Sequence, residues 1–438
     1  MDTVLEQDAL SPEQRKRQVR KAVVASAVGT TIEWYDFFLY TVAAGLVFPT
    51  KFFPADMDPF VATMLSFTTA FFGFAARPLG AIIFGHFGDR IGRKATLIST
   101  LLLMGVATMG IGLVPDYETI GIWGAVLLTM GRVLQGIGVG GEWGGSVLLA
   151  GEWTDPKRRG FTTSWAQFGA PAGMLLAVGA LALMSVSSSD AAFLEWGWRI
   201  PFLSSFVLIG IGFWIRLGIL ETPVFAKLKR EGRIKKAPVL DVLKHNWREV
   251  ILTALLRTGQ QVPFYIFTVY VVTYAVTQLG YSRATILPFV MVQCLVSMVT
   301  IPFFGHLSDK VGRRRITAIG CLVMMVFPFV YFAMVDSGVV ALVFLAIVLG
   351  LPLHDLQYGP QAAFISESFP GSNRYSGASL GYQLASLTAG GPAPQIALAL
   401  QEVYGSSMAV AGYVSLCAVV SLVCVGLLKD RTGQLDHA

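Results

Sequence analysis

Gly85-His86-Phe87-Gly88-Asp89-Arg90-Ile91-Gly92-Arg93-Lys94 recurs as Gly305-His306-Leu307-Ser308-Asp309-Lys310-Val311-Gly312-Arg313-Arg314. The offset is 220 residues in a chain of 438, so the copies sit half a chain apart. Gly, His, Asp, Gly and Arg are identical at matched positions, and basic partners are kept beside them. Weaker echoes follow: Arg159-Gly160 precedes Gln167, and Arg374-Tyr375-Ser376-Gly377 precedes Gln383. The chain reads as two parallel repeats of one unit. The glycines suit tight turns. Asp89 and Asp309 can cap a following helix or pair with nearby arginines.

Each unit is built from apolar spans. The chain is 54% hydrophobic and 14% charged, whereas a soluble protein carries about 25% charged residues. Apolar runs of about 20 residues fall near 22–48, 60–84, 95–114, 120–148, 161–185, 199–218, 249–277, 284–304, 315–335, 338–364, 378–400 and 406–428. They predict an all-α membrane protein with twelve transmembrane helices in two pseudo-symmetric six-helix bundles. The expected division is an N-terminal segment 1–21, a first bundle 22–218, a linker 219–248, a second bundle 249–428 and a tail 429–438. Ser11-Pro12 before a basic run predicts a short helix outside the membrane, and 239–243 a short helix in the linker.

Charge placement sets the orientation. Of 33 Lys and Arg, 27 fall on one side when the spans alternate, nine of them from Arg216 to Arg248. Only Lys51, Arg199 and Arg283 fall on the other side. The positive-inside rule then places both termini and the linker in the cytoplasm of a multi-pass plasma-membrane (cell inner membrane) protein. The net charge of +6 follows from this asymmetry and does not imply nucleic acid. No cleavable signal peptide is expected, because the first run is long and carries acids. Cys294, Cys321, Cys417 and Cys424 all lie in apolar runs without metal or disulfide spacing, and read as small buried residues.

Two acids interrupt the first span. In Gly29-Thr30-Thr31-Ile32-Glu33-Trp34-Tyr35-Asp36, Glu33 and Asp36 are three apart and share one helix face. A carboxylate inside a bilayer costs several kcal/mol and usually faces a cavity and acts there. Burial favours the neutral carboxyl and a nearby arginine the ionised one, so proton affinity can follow conformation. Asp36 is the first candidate for a proton site and Glu33 the second; a permanent ion pair is the alternative.

These stretches carry a resemblance. The repeated decapeptide resembles the signature loop of the major facilitator superfamily, and Gly131-Arg132-Val133-Leu134-Gln135-Gly136 resembles the fourth-helix motif of its proton-coupled members. Glu33-Trp34-Tyr35-Asp36-Phe37-Phe38, Ala76-Arg77-Pro78-Leu79-Gly80, Gly140-Gly141-Glu142-Trp143-Gly144-Gly145 and the segment from Phe369-Pro370 to Arg374-Tyr375-Ser376-Gly377 resemble the metabolite:proton symporter family. That family includes shikimate, α-ketoglutarate and proline/betaine permeases. The resemblance spans nearly the whole chain and leaves the substrate open. It implies that Asp89, Arg93, Asp309 and Arg313 gate the movement of the halves without touching substrate. His86 and His306 read as structural.

Three arginines lie within spans: Arg77 in the second, Arg132 in the fourth and Arg257 in the seventh. An arginine fork suits a carboxylate and stays charged. One is expected to balance Asp36 or Glu33, leaving others for an anionic substrate; Arg132 is a candidate for both the proton and the substrate site. The alternative for each is snorkelling or packing in a salt bridge. His354-Asp355 in the tenth span lies outside the resembled pattern, so it could bind substrate, relay protons or form a satisfied pair. Tyr35, Gln167, Gln260, Gln261, Tyr358 and Gln383 are further candidate ligands. The glycine run 136–145 contains GxGxxG, but no strand precedes it. It reads as close helix packing rather than a dinucleotide site. Glu142 is expected to pair with a loop or linker arginine. Gly169-Ala170-Pro171-Ala172-Gly173 only partly resembles the fifth-helix motif of drug/proton antiporters, which weakens an export reading.

The combined expectation is a proton-coupled importer of a small organic acid, such as shikimate or α-ketoglutarate, that works by rocking its halves about a midplane site. The proton is its coupling ion, and no cofactor or metal is expected. It is expected to be a monomer in the lipid bilayer. One proton with a monoanion is electroneutral, so using the membrane potential needs extra protons. Two alternatives are a symporter of proline or betaine, with Trp34, Tyr35, Phe37 and Phe38 as an aromatic cage, and an exporter. The short stretch after the last span argues mildly against the osmosensing branch. No nucleophile–base or metal constellation suggests an enzyme, and a channel would not need the paired loops.

Overall fold

The computed structural model describes residues 11–232 and 237–431. The first ten residues, the last seven and linker residues 233–236, which include three of the nine central cations, lie outside the described residues.

Ser11 starts the first helix with a reciprocal cap: its hydroxyl accepts from Gln14 N, and the Gln14 side chain accepts from Ser11 N. Pro12 follows at the first helical position, where a missing N–H costs nothing. The expected short outer helix does not end there. Residues 18–22 contain no Gly or Pro, so it runs unbroken into the first span as α1 (Pro12–Leu46). Its 35 residues span about 52 Å at 1.5 Å each, so its basic first turns project beyond a 30 Å hydrocarbon core.

Eleven further spans follow: α2 (Pro59–Ile91), α3 (Arg93–Leu113), α4 (Trp123–Glu152), α5 (Arg159–Ser187), α6 (Arg199–Leu217), α7 (from Trp247), α8 (Arg283–Val311), α9 (Arg313–Val335), α10 (Val340–Glu367), α11 (from Arg374) and α12 (Ser407–Leu427). Two are interrupted. In α7, Trp247–Tyr265 passes through a wide π turn at Ile266–Tyr270 into Val271–Thr277. In α11, Arg374–Ala385 passes through a π turn at Ser386–Gly390, and helix resumes at Ala393–Tyr404. Pro263 and Pro392 cannot donate to the preceding turn, which explains why the ladder widens or stops near them. The linker holds two short helices, Pro223–Arg230 and Pro238–His245.

The surface is that of a membrane protein. Phe206, Trp214 and Val299 are exposed, while Arg77, Arg132, Asp36 and Asp355 are all fully buried. Among the described residues, eight helices are long and apolar enough to cross a bilayer by length and composition. The remaining four, α1, α4, α7 and α11, are too polar or too interrupted, and they carry Glu33, Asp36, Arg132 and Arg257.

Within the first half α1 packs on α5, α2 and α3 pack on α4, and α6 packs on α3. In the second half α8 and α9 pack on α10, and α7 and α9 pack on α12. Between halves, α2 meets α11 and α5 meets α8, as the repeat requires. The glycines of α4 let α2 approach: a Cβ on Gly136 would collide with Gly73 O and one on Gly140 with Arg77 O. Gly92 and Gly312 make the tight turns after α2 and α8, with φ of 114° and 105°, where a side chain would be strained.

Candidate functional site

The paired loops lie at the same, basic end of the bundle, each against the opposite half. Asp89 accepts from Ser376 N at 3.0 Å and Ser376 Oγ at 2.8 Å, at the start of α11. Asp309 accepts from Gly160 N and Phe161 N, each at 2.8 Å, at the start of α5. Each carboxylate thus sits on the first turn of a helix in the opposite half, where free N–H groups and the helix dipole favour an anion. Arg93 lies 3.4 Å from Asp89 and 3.5 Å from Glu152, while Arg313 lies 3.3 Å from Asp309 and 3.0 Å from Glu367. Arg374 reaches Glu152 at 4.0 Å and Arg159 reaches Glu367 at 3.4 Å, both across the halves. Sequence reasoning missed Glu152 and Glu367, although they are 215 residues apart, as are Arg159 and Arg374.

Among the described residues, hydrogen bonds and ion pairs between the halves run only from mid-bundle to this basic end. The deeper ones are Tyr375 Oη to Gly141 O at 2.7 Å, Gln383 Nε2 to Val139 O at 3.1 Å, Gln167 Nε2 to Tyr358 O at 3.4 Å and Arg77 Nη1 to Ser386 Oγ at 3.4 Å. This conformation is closed at the basic end.

At mid-bundle, cations from both halves converge. The π turn of α11 directs Ser386 into the boundary. Its hydroxyl takes Arg257 Nη1 at 3.0 Å, Gln261 Nε2 at 3.2 Å and the longer Arg77 contact, and it donates to Gln383 Oε1 at 3.0 Å. Arg257 lies over the Tyr382 ring at 3.1 Å, and Arg77 over Phe37 at 4.1 Å and Phe74 at 4.8 Å. No carboxylate lies within 4 Å of Arg77 or Arg257 among the described residues. Arg77 Nε and Nη2, Arg257 Nε, Gln261 Oε1 and the Tyr265 hydroxyl have no hydrogen-bond partner. Buried polar atoms are rarely left so; these come from α2 and α7, and apart from the accepting Gln261 Oε1 all of them can donate. Neither Ser386 nor Tyr382 was singled out from the sequence; Gly390-Gly391-Pro392 was the available sign that α11 breaks beside them.

The two acids of α1 part ways. Asp36 is fully buried and turns toward α6, accepting from Ser205 Oγ at 2.6 Å. The Thr108 hydroxyl of α3 lies against the same carboxyl, and Gln135 Nε2 donates to Thr108 Oγ at 2.8 Å. Gln135 Oε1 in turn accepts from Arg132 Nη1 at 3.0 Å. Of the two acids expected to share an arginine, Asp36 has none near it: no cation lies within 4 Å of it among the described residues. Arg132 instead lies over Phe37 at 3.8 Å and donates to Phe37 O at 3.1 Å and Thr41 Oγ at 3.2 Å. Glu33 faces a different group, within electrostatic reach of Glu142, Arg77 and Arg216. Arg216, from the end of α6, ion-pairs with Glu142, which also accepts from Thr100 at 2.7 Å and Ser146 at 3.0 Å. Gly29 is what lets this pair form beside α1, because a Cβ there would collide with the Arg216 guanidinium.

The remaining candidates divide. Tyr35 points away, donating to Pro201 O of α6 at 2.8 Å. Gln167 accepts from Trp143 Nε1 at 2.6 Å and ties α4 to α5. Tyr358 lies beside Tyr382 and Arg257. His354 and Asp355 form a buried pair at 3.0 Å. Gln260 Nε2 reaches His354 Nε2 at 2.7 Å, and Ser297 and Thr300 of α8 donate to Asp355 Oδ2 at 2.8 and 2.5 Å.

Twelve helices, a duplicated loop at one end and a cationic mid-bundle lining define a membrane transporter with two repeated halves. The chain belongs to the Major Facilitator Superfamily, whose model matches residues 27–394; it is a transport protein, not an enzyme. It is 41% identical over 419 residues to the Escherichia coli inner membrane metabolite transport protein YhjE, covering 94% of this chain and 95% of that one. It is 38% identical to the Escherichia coli shikimate transporter (94% and 95% covered) and 32% identical to the Escherichia coli proline/betaine transporter (95% and 85% covered). The fold superposes on the proton:xylose symporter XylE with a TM-score of 0.77 at 16% identity, covering 96% of this chain and 98% of that one.

Proposed function

We propose that this transporter is a proton-coupled importer of a small organic acid, of the shikimate or α-ketoglutarate kind, working by alternating access. The observation that carries the reading is the meeting of Arg77 and Arg257, one from each half, on Ser386, with no carboxylate within 4 Å of either among the described residues. Two buried guanidiniums without a close ion-pair partner are costly, and a carboxylate ligand between them removes that cost. Asp36 takes the proton: among the described residues it has hydroxyl partners but no cation within 4 Å, so protonation removes the cost of burying its charge. The Thr108–Gln135–Arg132 chain links it to the wall of the first half. Kinship with a shikimate transporter supports an acid substrate. The basic end is cytoplasmic by the positive-inside rule, so the described conformation is closed to the cytoplasm.

Symport of betaine or proline is the second reading, supported by a proline/betaine relative. It needs free aromatic faces. Arg77 and Arg132 already cover Phe37, and Phe38 stacks on Trp34 at 5.2 Å, which favours the acid.

The test is uptake into proteoliposomes under an imposed inward proton gradient, with shikimate, α-ketoglutarate, protocatechuate, proline and betaine compared. Accumulation of an acid that collapses with a protonophore supports the reading. Accumulation of betaine or proline alone refutes the arginine–carboxylate argument.

A further inference from the structure

The second half holds a buried cluster that the substrate site does not use. Asp355 is fully buried on α10 and turns away from the arginines, toward Ser297 and Thr300 of α8. Among the described residues its only cationic candidate is His354, whose Nδ1 lies 3.0 Å from Asp355 Oδ1. The Gln260 amide nitrogen, a donor, faces His354 Nε2 at 2.7 Å. Nε2 is therefore the acceptor, Nδ1 carries the hydrogen given to Asp355, and the imidazole is neutral beside an ionised aspartate. The pair then holds one uncompensated negative charge in the bundle interior. The Gln260 Oε1 has no partner. One proton added to Nε2 neutralises the pair as a whole, and a half-turn of the Gln260 amide presents Oε1 to the new N–H. No covalent bond other than N–H forms, and the reverse step returns the proton to water.

We propose that His354, held by Asp355 and Gln260, is a second proton-binding site of this transporter, separate from Asp36 and lodged in the opposite half. It rests on the reading of the chain as a proton-coupled carrier. The ionisable groups around it are Cys294 of α8 against Asp355, and Tyr358 of α10 against the imidazole. Arg257 of α7 and Tyr382 of α11 lie beyond Tyr358. Among these groups Asp355 is the only carboxylate.

The position suits coupling. Gln260 stands one turn from Arg257 and beside Gln261, both bound to Ser386. Phe264, one turn further along α7, stands between the His354 ring at 5.8 Å and, across the halves, Trp34 at 6.4 Å and Phe38 at 6.1 Å. Loading this site changes the partner of a glutamine next to the substrate arginines and the ring beneath an inter-half contact. With a monoanion, a second proton makes each import cycle carry one net positive charge inward, so the membrane potential drives it.

The experiment is an acid step on substrate-free proteoliposomes adsorbed to a solid-supported membrane, which reads the charge displaced by proton binding. Wild type should displace charge in two components with different pH midpoints, one lost in Asp36→Asn and the other in His354→Gln. The His354→Gln displacement should fall to about half, one of two unit charges. If His354→Gln is not recovered folded, Asp355→Asn serves: losing the anion should move the second component to lower pH. A full wild-type displacement with an unchanged midpoint in the recovered variant overturns the proposal, as does a single wild-type component lost in Asp36→Asn alone. The substrate reading fails separately: proton-driven charge displacement with no carboxylate accumulation would refute it and leave the His354 site standing.

Discussion

Asp309 of the second half accepts the backbone N–H of Gly160 in the first, at 2.8 Å, and so caps the first turn of a helix that belongs to the other repeat. Hydrogen bonds to a charged group are worth about 1.5–3 kcal/mol each, and this one exists only while the halves are closed at the basic end. Asp309→Asn should therefore shift the population toward the open basic end by tenfold or more. Single cysteines placed along α5 and α8 should label faster from that side in the variant. Equal labelling would mean that the cap is not part of the latch.

The same closure depends on backbone contact. A Cβ on Gly305 would meet Ser164 and Gly160 O at 2.6 and 2.7 Å. Gly305→Leu should leave each half folded but hold the basic end apart, abolishing net transport while retaining ligand binding. A variant that transports at the wild-type rate would contradict the close packing of α5 on α8.

Arg77 and Arg257 should not tolerate lysine, which cannot reproduce a planar fork. Truncating a partner of a buried charged contact costs about 2–5 kcal/mol, so Arg257→Gln or Arg77→Gln should raise KM for the acid about thirtyfold or more. Ser386→Ala should have a smaller effect, because it removes only the shared hydroxyl. Binding of the acid and its methyl ester, measured by competition, should differ greatly in wild type and little in the arginine variants.

Asp36→Asn should abolish accumulation driven by a proton gradient yet preserve counterflow of labelled against unlabelled substrate, which needs no net proton movement. Ser205→Ala, which removes the 2.6 Å hydrogen bond to this carboxyl, should shift the pH dependence of uptake without abolishing it. Loss of both counterflow and gradient-driven uptake in Asp36→Asn would reassign the residue to structure.

Glu142 and Arg216 make a stability prediction. Breaking a buried ion pair by removing one partner costs about 3–5 kcal/mol, while removing both is often neutral. Glu142→Leu should lower the thermal midpoint in detergent sharply, and Glu142→Leu with Arg216→Leu should recover most of it. Gly29→Val should mimic the single variant, since its side chain would occupy the guanidinium's place.

Much of this protein was legible in its residues, for identifiable reasons. A bilayer demands about 20 apolar residues per helix, so the spans show as long runs. Duplication shows as a repeated decapeptide with one positive-φ glycine in each copy, Gly92 and Gly312. Helix breaks were less visible, because a π turn leaves hydropathy unchanged; only Pro263, Pro392 and the paired glycines hinted at them. The run of α1 beyond its expected start was missed because a basic segment looks like an outer element, although nothing in 18–22 stops a helix.

The sequence by itself determined the number of spans, the twofold repeat and the few charged residues that must be housed inside. Periodicity and hydropathy are local properties, and the membrane makes them decisive. Which charges meet was decided only by tertiary structure. Asp36 and Arg132 sit on helices that pack together, α1 and α4, yet the aspartate faces Ser205 and the arginine lies on Phe37. Arg216 reaches Glu142 because Gly29 leaves room, and Arg77 and Arg257 share Ser386 because a turn of α11 widens there. Such pairings join residues 74 to 309 positions apart, and they follow from helix rotation and close packing, which no local pattern encodes.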